Sequence, residues 1–153
     1  MTISVIVPCF NEEESIPLFH EAMEAVKYQV RDQFEYIFVN DGSTDRTLAV
    51  LRELSSHCPD VHYLSFSRNF GKEAALYAGL QEASGDLVTV MDVDLQDPPE
   101  LLIEMKAMLD SNPELDCVGT RRTTREGEPP IRSFFANLFY KLINKISQVE
   151  MVD

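Results

Sequence analysis

Hydrophobic and polar residues alternate along the chain in blocks that predict strands and helices in turn. The run ISVIVP over Ile3–Pro8 is rich in β-branched residues, which is typical of a strand buried on both faces. Similar short runs predict further strands at Tyr36–Asn40, Val61–Phe66, Leu87–Met91 and Asp116–Thr120.

Helical periodicity fills the intervals between these runs. The predicted helices are Glu12–Val30, a helix with Leu48, Leu51 and Leu54 on one face, Glu73–Ala83, Pro99–Leu109 and an amphipathic helix over Ile131–Ser147. The repeated strand-helix order predicts an α/β fold, a mostly parallel sheet with helices on both faces. Ligands of such sheets bind beyond the carboxyl ends of the strands, which here fall at residues 8–12, 40–43, 67–72 and 92–96.

The composition is that of an ordinary globular domain. The 153 residues are 44% hydrophobic and 25% charged, enough for one compact core. Three scattered cysteines without a CxxC pair favour neither a disulfide framework nor a zinc site. Nothing approaches the roughly 18 continuous apolar residues of a membrane span, and the start of the chain lacks the basic residues of a signal peptide.

The net charge of −13 argues against nucleic acid as a partner, because binding it needs clustered cations. Residues 121–145 differ from the rest, with six basic and two acidic side chains, and this asymmetry often marks a surface that meets an anion. The aromatic and basic residues of 131–147 also suit a helix at a membrane interface, although most of its apolar residues would serve a core equally well.

The strongest candidate for chemistry follows the fourth predicted strand. In Asp92-Val93-Asp94, residues two apart in an extended segment point the same way, so both carboxylates could converge, with Gln96 in reach. Such oxygen ligands suit Mg²⁺ or Mn²⁺. A turn before a helix start is the alternative, and the spacing alone does not decide between them.

Polar clusters also follow the other strands. Phe10, Asn11 and Glu12 could hold a base and ribose, or simply begin a helix. Asp41 could accept from a base N–H while Gly42 permits close backbone approach, and an Asx turn explains them equally well. The segment SRNFGK, which ends at Lys72, could steady a diphosphate or be a solvated loop.

Taken together these segments resemble the family 2 glycosyltransferases of the GT-A fold, in particular the branch that acts on polyprenyl phosphates. That branch includes dolichol-phosphate mannose synthases and bacterial undecaprenyl-phosphate glucosyltransferases. The resemblance covers essentially the whole chain in the family's order and is carried by SVIVPCFNEEESI, VNDGSTDRT, LSFSRNFGKEAALYAGL, VMDVDLQDPPE and LFYKLINKIS.

The resemblance implies roles for particular residues. Asp92 and Asp94 match the catalytic DxD pair and, with Gln96, hold Mg²⁺ or Mn²⁺; no general base is assigned. The implied nucleotide-sugar-binding residues are Pro8, Phe10, Asn11, Glu12, Val39, Asp41, Gly42, Lys72, Asp92, Val93 and Arg121.

The reaction implied by the resemblance is transfer of a sugar from a nucleotide sugar, UDP-glucose as the first expectation, to a polyprenyl phosphate with inversion. A polysaccharide or other acceptor is the alternative. The enzyme is then expected at the cytoplasmic face of the membrane, contacting its surface through residues 131–147, and a homo-oligomer is left open.

Family members run to roughly twice this length, so the chain is expected to be a truncated and soluble fragment. Residues 1–120 would form the nucleotide-sugar-binding core and 121–153 the start of the acceptor side. We expect donor binding to be better preserved in such a fragment than turnover.

Other classes fit less well. A sugar-nucleotide nucleotidyltransferase needs a glycine-rich loop after its first strand, where this chain has PCFNEEES. A phosphatase with an aspartate nucleophile would carry its DxD after the first strand rather than the fourth. A non-catalytic nucleotide-binding or interaction domain stays open, whereas the absence of a P-loop and of GxGxxG excludes ATPases and Rossmann dehydrogenases.

Overall fold

The computed structural model describes residues 1–120 and contains four parallel strands in that range. They are β1 (Thr2–Cys9), β2 (Gln33–Asn40), β3 (Val61–Ser65) and β4 (Leu87–Val90). All pair in one sheet in the order β3-β2-β1-β4. The predicted α/β architecture is therefore confirmed, and so are the four strands from β1 to β4.

Four helices connect and follow these strands. They are α1 (Ser15–Val30), α2 (Thr47–His57), α3 (Lys72–Glu82) and α4 (Leu101–Ser111). Each lies where helical periodicity predicts it, and no end for which a residue was predicted differs by more than three residues. Helix α1 begins three residues later than predicted, because the backbone amides of Glu12 and Glu13 donate to Thr47 and Asp45 instead of beginning the helix.

Both faces of the sheet are covered by helices, as the strand sequences require. One face carries α1, α2 and α4, whose buried Phe19, Leu51 and Leu102 join the same apolar cluster as Phe38 of β2. The other face carries α3. A Cβ at Gly79 of α3 would lie 2.4 Å from the Ile6 side chain, so only glycine lets this helix pack so close to β1.

Two predicted elements lie beyond α4 in the sequence. The strand predicted at Asp116–Thr120 is wrong: these residues have no strand conformation, and the sheet of the described residues consists of β1–β4 alone. A strand exists through its ladder hydrogen bonds, and a short apolar pattern such as Cys117-Val118 does not ensure a pairing partner. The helix predicted at Ile131–Ser147 lies outside the described residues.

The chain divides into a unit spanning Met1–Glu114 and a second unit that begins at Leu115. The division into 1–120 and 121–153 stays a prediction, since residues 121–153 are not described. Within residues 1–120, each helix is too short or too polar to cross a membrane.

The order of the strands creates a crevice at one point of the sheet. From β1 the chain moves outward to β2 and β3, then returns to place β4 on the opposite side of β1. The strand order therefore reverses beside β1, and the loops after the neighbouring strands β1 and β4 meet there. Ligands of open parallel sheets bind at such a switch point, beyond the carboxyl ends of the strands.

Candidate functional site

A cavity of about 350 Å³ opens at this switch point. Its walls come from the segments that follow β1, β2, β3 and β4, so four separate polar clusters of the sequence meet in one place. The lining residues are Pro8, Cys9, Phe10, Glu12, Asp41, Asn69, Gly71, Lys72, Ala75, Asp92, Val93 and Asp94.

The Asp92-Val93-Asp94 segment presents both carboxylates to the cavity. Val93 is buried, whereas Asp92 and Asp94 are exposed, so the alternation expected from the sequence holds locally. The segment is nevertheless a turn rather than an extended strand end. Leu95 has a φ of 57°, and the Gln96 amide donates to Asp94 Oδ1 at 3.1 Å.

This turn changes the expectation for Gln96. Left-handed backbone at Leu95 breaks the alternation that would have aligned Gln96 with the two aspartates. Gln96 is exposed, and the cavity wall does not include it. Its contact with the site runs through its backbone, and its role as a metal ligand stays a prediction.

Lys72 reaches across the cavity to Asp92. Its Nζ donates to Asp92 Oδ1 at 2.6 Å and to Oδ2 at 2.8 Å. The two side chains remain 54% and 45% exposed, so the ion pair is open to solvent and to any ligand that enters. Lys72 is the first residue of α3, and the pair therefore joins the loop before α3 to the loop after β4.

The chemistry of these side chains fits a divalent cation. Carboxylate oxygens are the donors that Mg²⁺ prefers, usually one or two of them together with waters and substrate phosphates. A cationic group, Lys72 Nζ, already lies on the Asp92 carboxylate. Among residues 1–120 no cluster of three or more His, Cys, Asp and Glu forms a complete cage. The site therefore suits an ion that shares its coordination with a bound phosphate.

Asp41 anchors the loop that carries Lys72. Its carboxylate is nearly buried and accepts from the Phe70 amide at 2.7 Å and from the Gly71 amide at 2.9 Å. Each carboxylate oxygen keeps a second lone pair for a ligand N–H. Asp41 thus holds residues 70–71 in place while it lines the cavity.

Gly42, the residue after Asp41, packs against the backbone of the same 68–71 loop. It has a φ of 67°, and a Cβ there would lie 2.2 Å from the carbonyl carbon of Arg68. The close approach expected at this glycine is present, but the neighbour is the 68–71 loop, and Gly42 is not part of the cavity wall.

The loop after β1 is tied to the loop after β2. Asn11 has a φ of 58°. Its side-chain Oδ1 accepts from the Thr44 backbone amide at 2.8 Å, and its own backbone amide donates to Ser43 Oγ. The Glu12 amide donates to Thr47 Oγ1 at 2.8 Å. These bonds leave Phe10 45% exposed at the rim of the cavity, where its ring offers an apolar surface to a ligand.

Eight of the predicted binding and metal residues line the cavity together: Pro8, Phe10, Glu12, Asp41, Lys72, Asp92, Val93 and Asp94. Asn11, Gly42 and Gln96 lie in the adjoining loops. Val39 is fully buried and packs with Ala75 beneath the site. Arg121 lies outside the described residues.

Sequence reasoning missed four lining residues: Cys9, Asn69, Gly71 and Ala75. Asn69 and Gly71 belong to the SRNFGK segment, which the sequence indicated as a possible diphosphate contact, but of its residues only Lys72 was assigned to the binding site. Burial, together with the charge of Glu12, raises the pKa of the Cys9 thiol far above its ordinary value. Cys9 is therefore a neutral wall residue and not a nucleophile.

The known sequences that are similar to this chain are glycosyltransferases. The family model described as glycosyl transferase family 2 matches residues 4–151. A bactoprenol glucosyl transferase of Shigella phage SfV is 44% identical over 147 residues, which are 96% of this chain and 47% of that protein. A prophage bactoprenol glucosyl transferase homolog of Escherichia coli K12 is 42% identical over the same shares of the two chains. The chain thus spans about half the length of the curated relatives it matches.

Solved structures show the same fold. A mannosyltransferase from Pyrobaculum calidifontis, in complex with GDP-Man and Mn²⁺, has a TM-score of 0.63 at 28% identity and covers 77% of this chain and 35% of its own. Mannosyl-3-phosphoglycerate synthase from Rubrobacter xylanophilus has a TM-score of 0.67 at 20% identity, over 95% of this chain and 48% of its own. The sheet and its helices are those of the GT-A glycosyltransferases, as the sequence predicts.

Proposed function

The chain belongs to glycosyl transferase family 2, and we propose that its cavity binds the nucleotide-sugar donor of an inverting, metal-dependent hexosyltransferase. The observation that carries the proposal is the meeting of Asp92 and Asp94 with Lys72 in one cavity at the switch point of the sheet. Paired carboxylates facing an ammonium group are suited to a diphosphate bound through a divalent ion.

Each wall of the cavity has a part in this proposal. Phe10, Glu12 and Asp41 lie on the side of β1 and β2 and would contact the base and ribose. Asp92 and Asp94 would hold Mg²⁺ or Mn²⁺. Charge neutralisation on the departing nucleoside diphosphate is the chemistry that such an ion supplies.

The acceptor is proposed to be a polyprenyl phosphate. An acceptor phosphate is already anionic, so its attack on the anomeric carbon needs little help from a general base. The bond to the nucleoside diphosphate breaks as the new bond forms on the opposite face of the sugar, which inverts the anomeric centre. Arg121 and the basic residues after it would receive this phosphate.

Relatives named bactoprenol glucosyl transferases support glucose as the sugar and a polyprenyl carrier as the acceptor. We therefore keep UDP-glucose as the first donor to test, with GDP-mannose beside it because a structural neighbour binds GDP-Man with Mn²⁺. A lipid acceptor places the reaction at a membrane surface, which residues 131–147 would contact on the cytoplasmic side.

Isothermal titration calorimetry tests the donor site. We expect the chain to bind UDP-glucose or GDP-mannose only when Mg²⁺ or Mn²⁺ is present. Asp92→Asn and Asp94→Asn should each weaken this binding by at least about tenfold, since even the outer-shell partners of a metal commonly contribute that much. Asn keeps the size of the side chain at both positions. At position 94 it also keeps the Oδ1 acceptor that the Gln96 backbone amide uses.

Asp97→Asn is the matched control, because Asp97 is exposed in the same segment and lies outside the cavity wall. It should bind donor as the wild type does. Binding of neither nucleotide sugar with either metal would overturn the proposal. Unchanged binding in Asp92→Asn and Asp94→Asn would instead show that the metal lies elsewhere.

A further inference from the structure

The Lys72–Asp92 ion pair occupies the carboxylate that the proposed metal would need. Nζ of Lys72 contacts both oxygens of Asp92, at 2.6 and 2.8 Å, so the ammonium group neutralises this carboxylate and takes up the side that lies between its two oxygens. Lys72 also lines the cavity in its own right. A divalent ion and the Lys72 ammonium compete for Asp92, because two cations on one carboxylate repel each other at such short range.

The anchoring of the loop determines which part of Lys72 can move. The amides of Phe70 and Gly71 are held by the nearly buried Asp41 carboxylate, and Gly42 packs against the backbone of Arg68. The backbone that leads into α3 is therefore fixed on both sides. The Lys72 side chain, by contrast, is 54% exposed and has four flexible methylene groups. Its ammonium group can leave Asp92 without any movement of the loop.

We propose that Lys72 has two roles in succession. In the metal-free protein it neutralises Asp92, which we call its placeholder role. When metal and donor bind, its ammonium group moves onto the donor diphosphate, which we call the transfer. The inference rests on the proposed donor site and goes further by giving Lys72 two successive partners. The cavity explains the second partner. A displaced ammonium beside a divalent ion needs an anion, and the donor's phosphates would enter the cavity that Lys72 already lines.

Opposite effects on two binding reactions follow from this exchange. With metal alone, Lys72 competes for Asp92, so its removal should tighten metal binding. With donor present, Lys72 contributes a charge-assisted bond to phosphate, so its removal should weaken donor binding. A residue that only supported the fold would lower both affinities together.

The test uses Lys72→Met, which keeps most of the side-chain volume and removes the charge. Calorimetry with MnCl₂ alone should show Mn²⁺ binding about two- to fivefold tighter than in the wild type, the range expected for loss of a solvent-exposed ion pair. At saturating Mn²⁺, UDP-glucose or GDP-mannose should bind about tenfold more weakly or worse. Lys72→Arg keeps the charge and should bring both affinities back toward the wild-type values.

Arg52→Met is the matched control, since Arg52 is an exposed cation on α2 outside the cavity wall. It should leave both affinities unchanged, and circular dichroism melting should show that each variant folds. Mn²⁺ binding that is unchanged or weaker in Lys72→Met overturns the placeholder role, and unchanged donor affinity overturns the transfer. If the wild type shows no metal-dependent donor binding at all, the proposed function fails instead.

Discussion

Individual residues of the site divide into those that face the cavity and those that hold its walls. Asn11 and Gly42 both have a positive φ, and both support contacts between loops. Asp41 does both tasks at once. Sequence patterns could not separate these roles, because turn geometry by itself already favours Asn, Asp and Gly at strand ends.

Gly42→Ala tests the loop junction at the scale of one residue. The added methyl group would lie 2.2 Å from the Arg68 carbonyl carbon, on a backbone with a φ of 67° that alanine rarely adopts. We expect a loss of about 2–3 kcal/mol in the free energy of unfolding, from the combined strain and clash. Urea denaturation measures this quantity.

Gly119→Ala is the control for that change, because a Cβ at Gly119 would meet nothing within 4 Å. It should leave the unfolding midpoint close to that of the wild type. Equal midpoints for Gly42→Ala and the wild type would contradict the close packing inferred at the junction.

At the scale of elements, hydrophobic periodicity predicted the helices and strands that bury an apolar face. It did not predict boundaries or pairings that depend on contacts distant in sequence. The buried faces of α1, α2 and α4 follow from apolar residues at helical spacing, and β1 and β2 follow from β-branched runs. The start of α1 was placed too early because Glu12 and Glu13 donate their amides to Thr47 and Asp45, contacts more than thirty residues away in sequence. The predicted strand at 116–120 failed for the related reason that pairing is not a local property.

Glu35 joins β2 to the turn that leads into β4. It accepts from Ser4 Oγ at 2.5 Å, and from the hydroxyl and amide of Ser84 at 2.8 and 3.1 Å. Burial alone would raise the pKa of Glu35, but these donated hydrogen bonds outweigh it and hold the pKa below its ordinary value. The ionised carboxylate therefore stabilises the connection between α3 and β4.

Glu35→Gln should lower the free energy of unfolding by about 1–2 kcal/mol at pH 7. Because the folded pKa lies below the unfolded one, this stabilisation is complete above the unfolded value near 4.3 and is lost as the pH falls through the folded value. The difference between wild type and Glu35→Gln should accordingly shrink below about pH 4. Denaturant unfolding across pH measures it.

Glu53→Gln provides the comparison, since Glu53 is exposed on α2, away from the Ser4–Glu35–Ser84 contacts. Its unfolding free energy should follow the wild type at every pH. A Glu35→Gln difference that stayed constant down to pH 3 would show that the charge of Glu35 does not contribute.

At the scale of the whole molecule, the strand order decides where the site lies. The alternation of strands and helices predicted a parallel sheet, but not the order β3-β2-β1-β4 that opens the crevice beside β1. The family resemblance supplied that information, since it identified the segments after β1 and β4 as parts of one site. The chain spans about half the length of these relatives.

We propose that Asp92 and Asp94 hold a divalent ion that is shared with a nucleotide diphosphate. Crystals of the chain can be grown with Mn²⁺ and UDP and measured at a wavelength where manganese scatters anomalously. The anomalous map then gives the position of the ion directly. We predict an anomalous peak in contact with both carboxylates and with the diphosphate, with Lys72 Nζ moved from Asp92 to a phosphate oxygen. Bound UDP with no manganese at Asp92 and Asp94, or manganese only at another place in the chain, would show that these two residues are not the metal site.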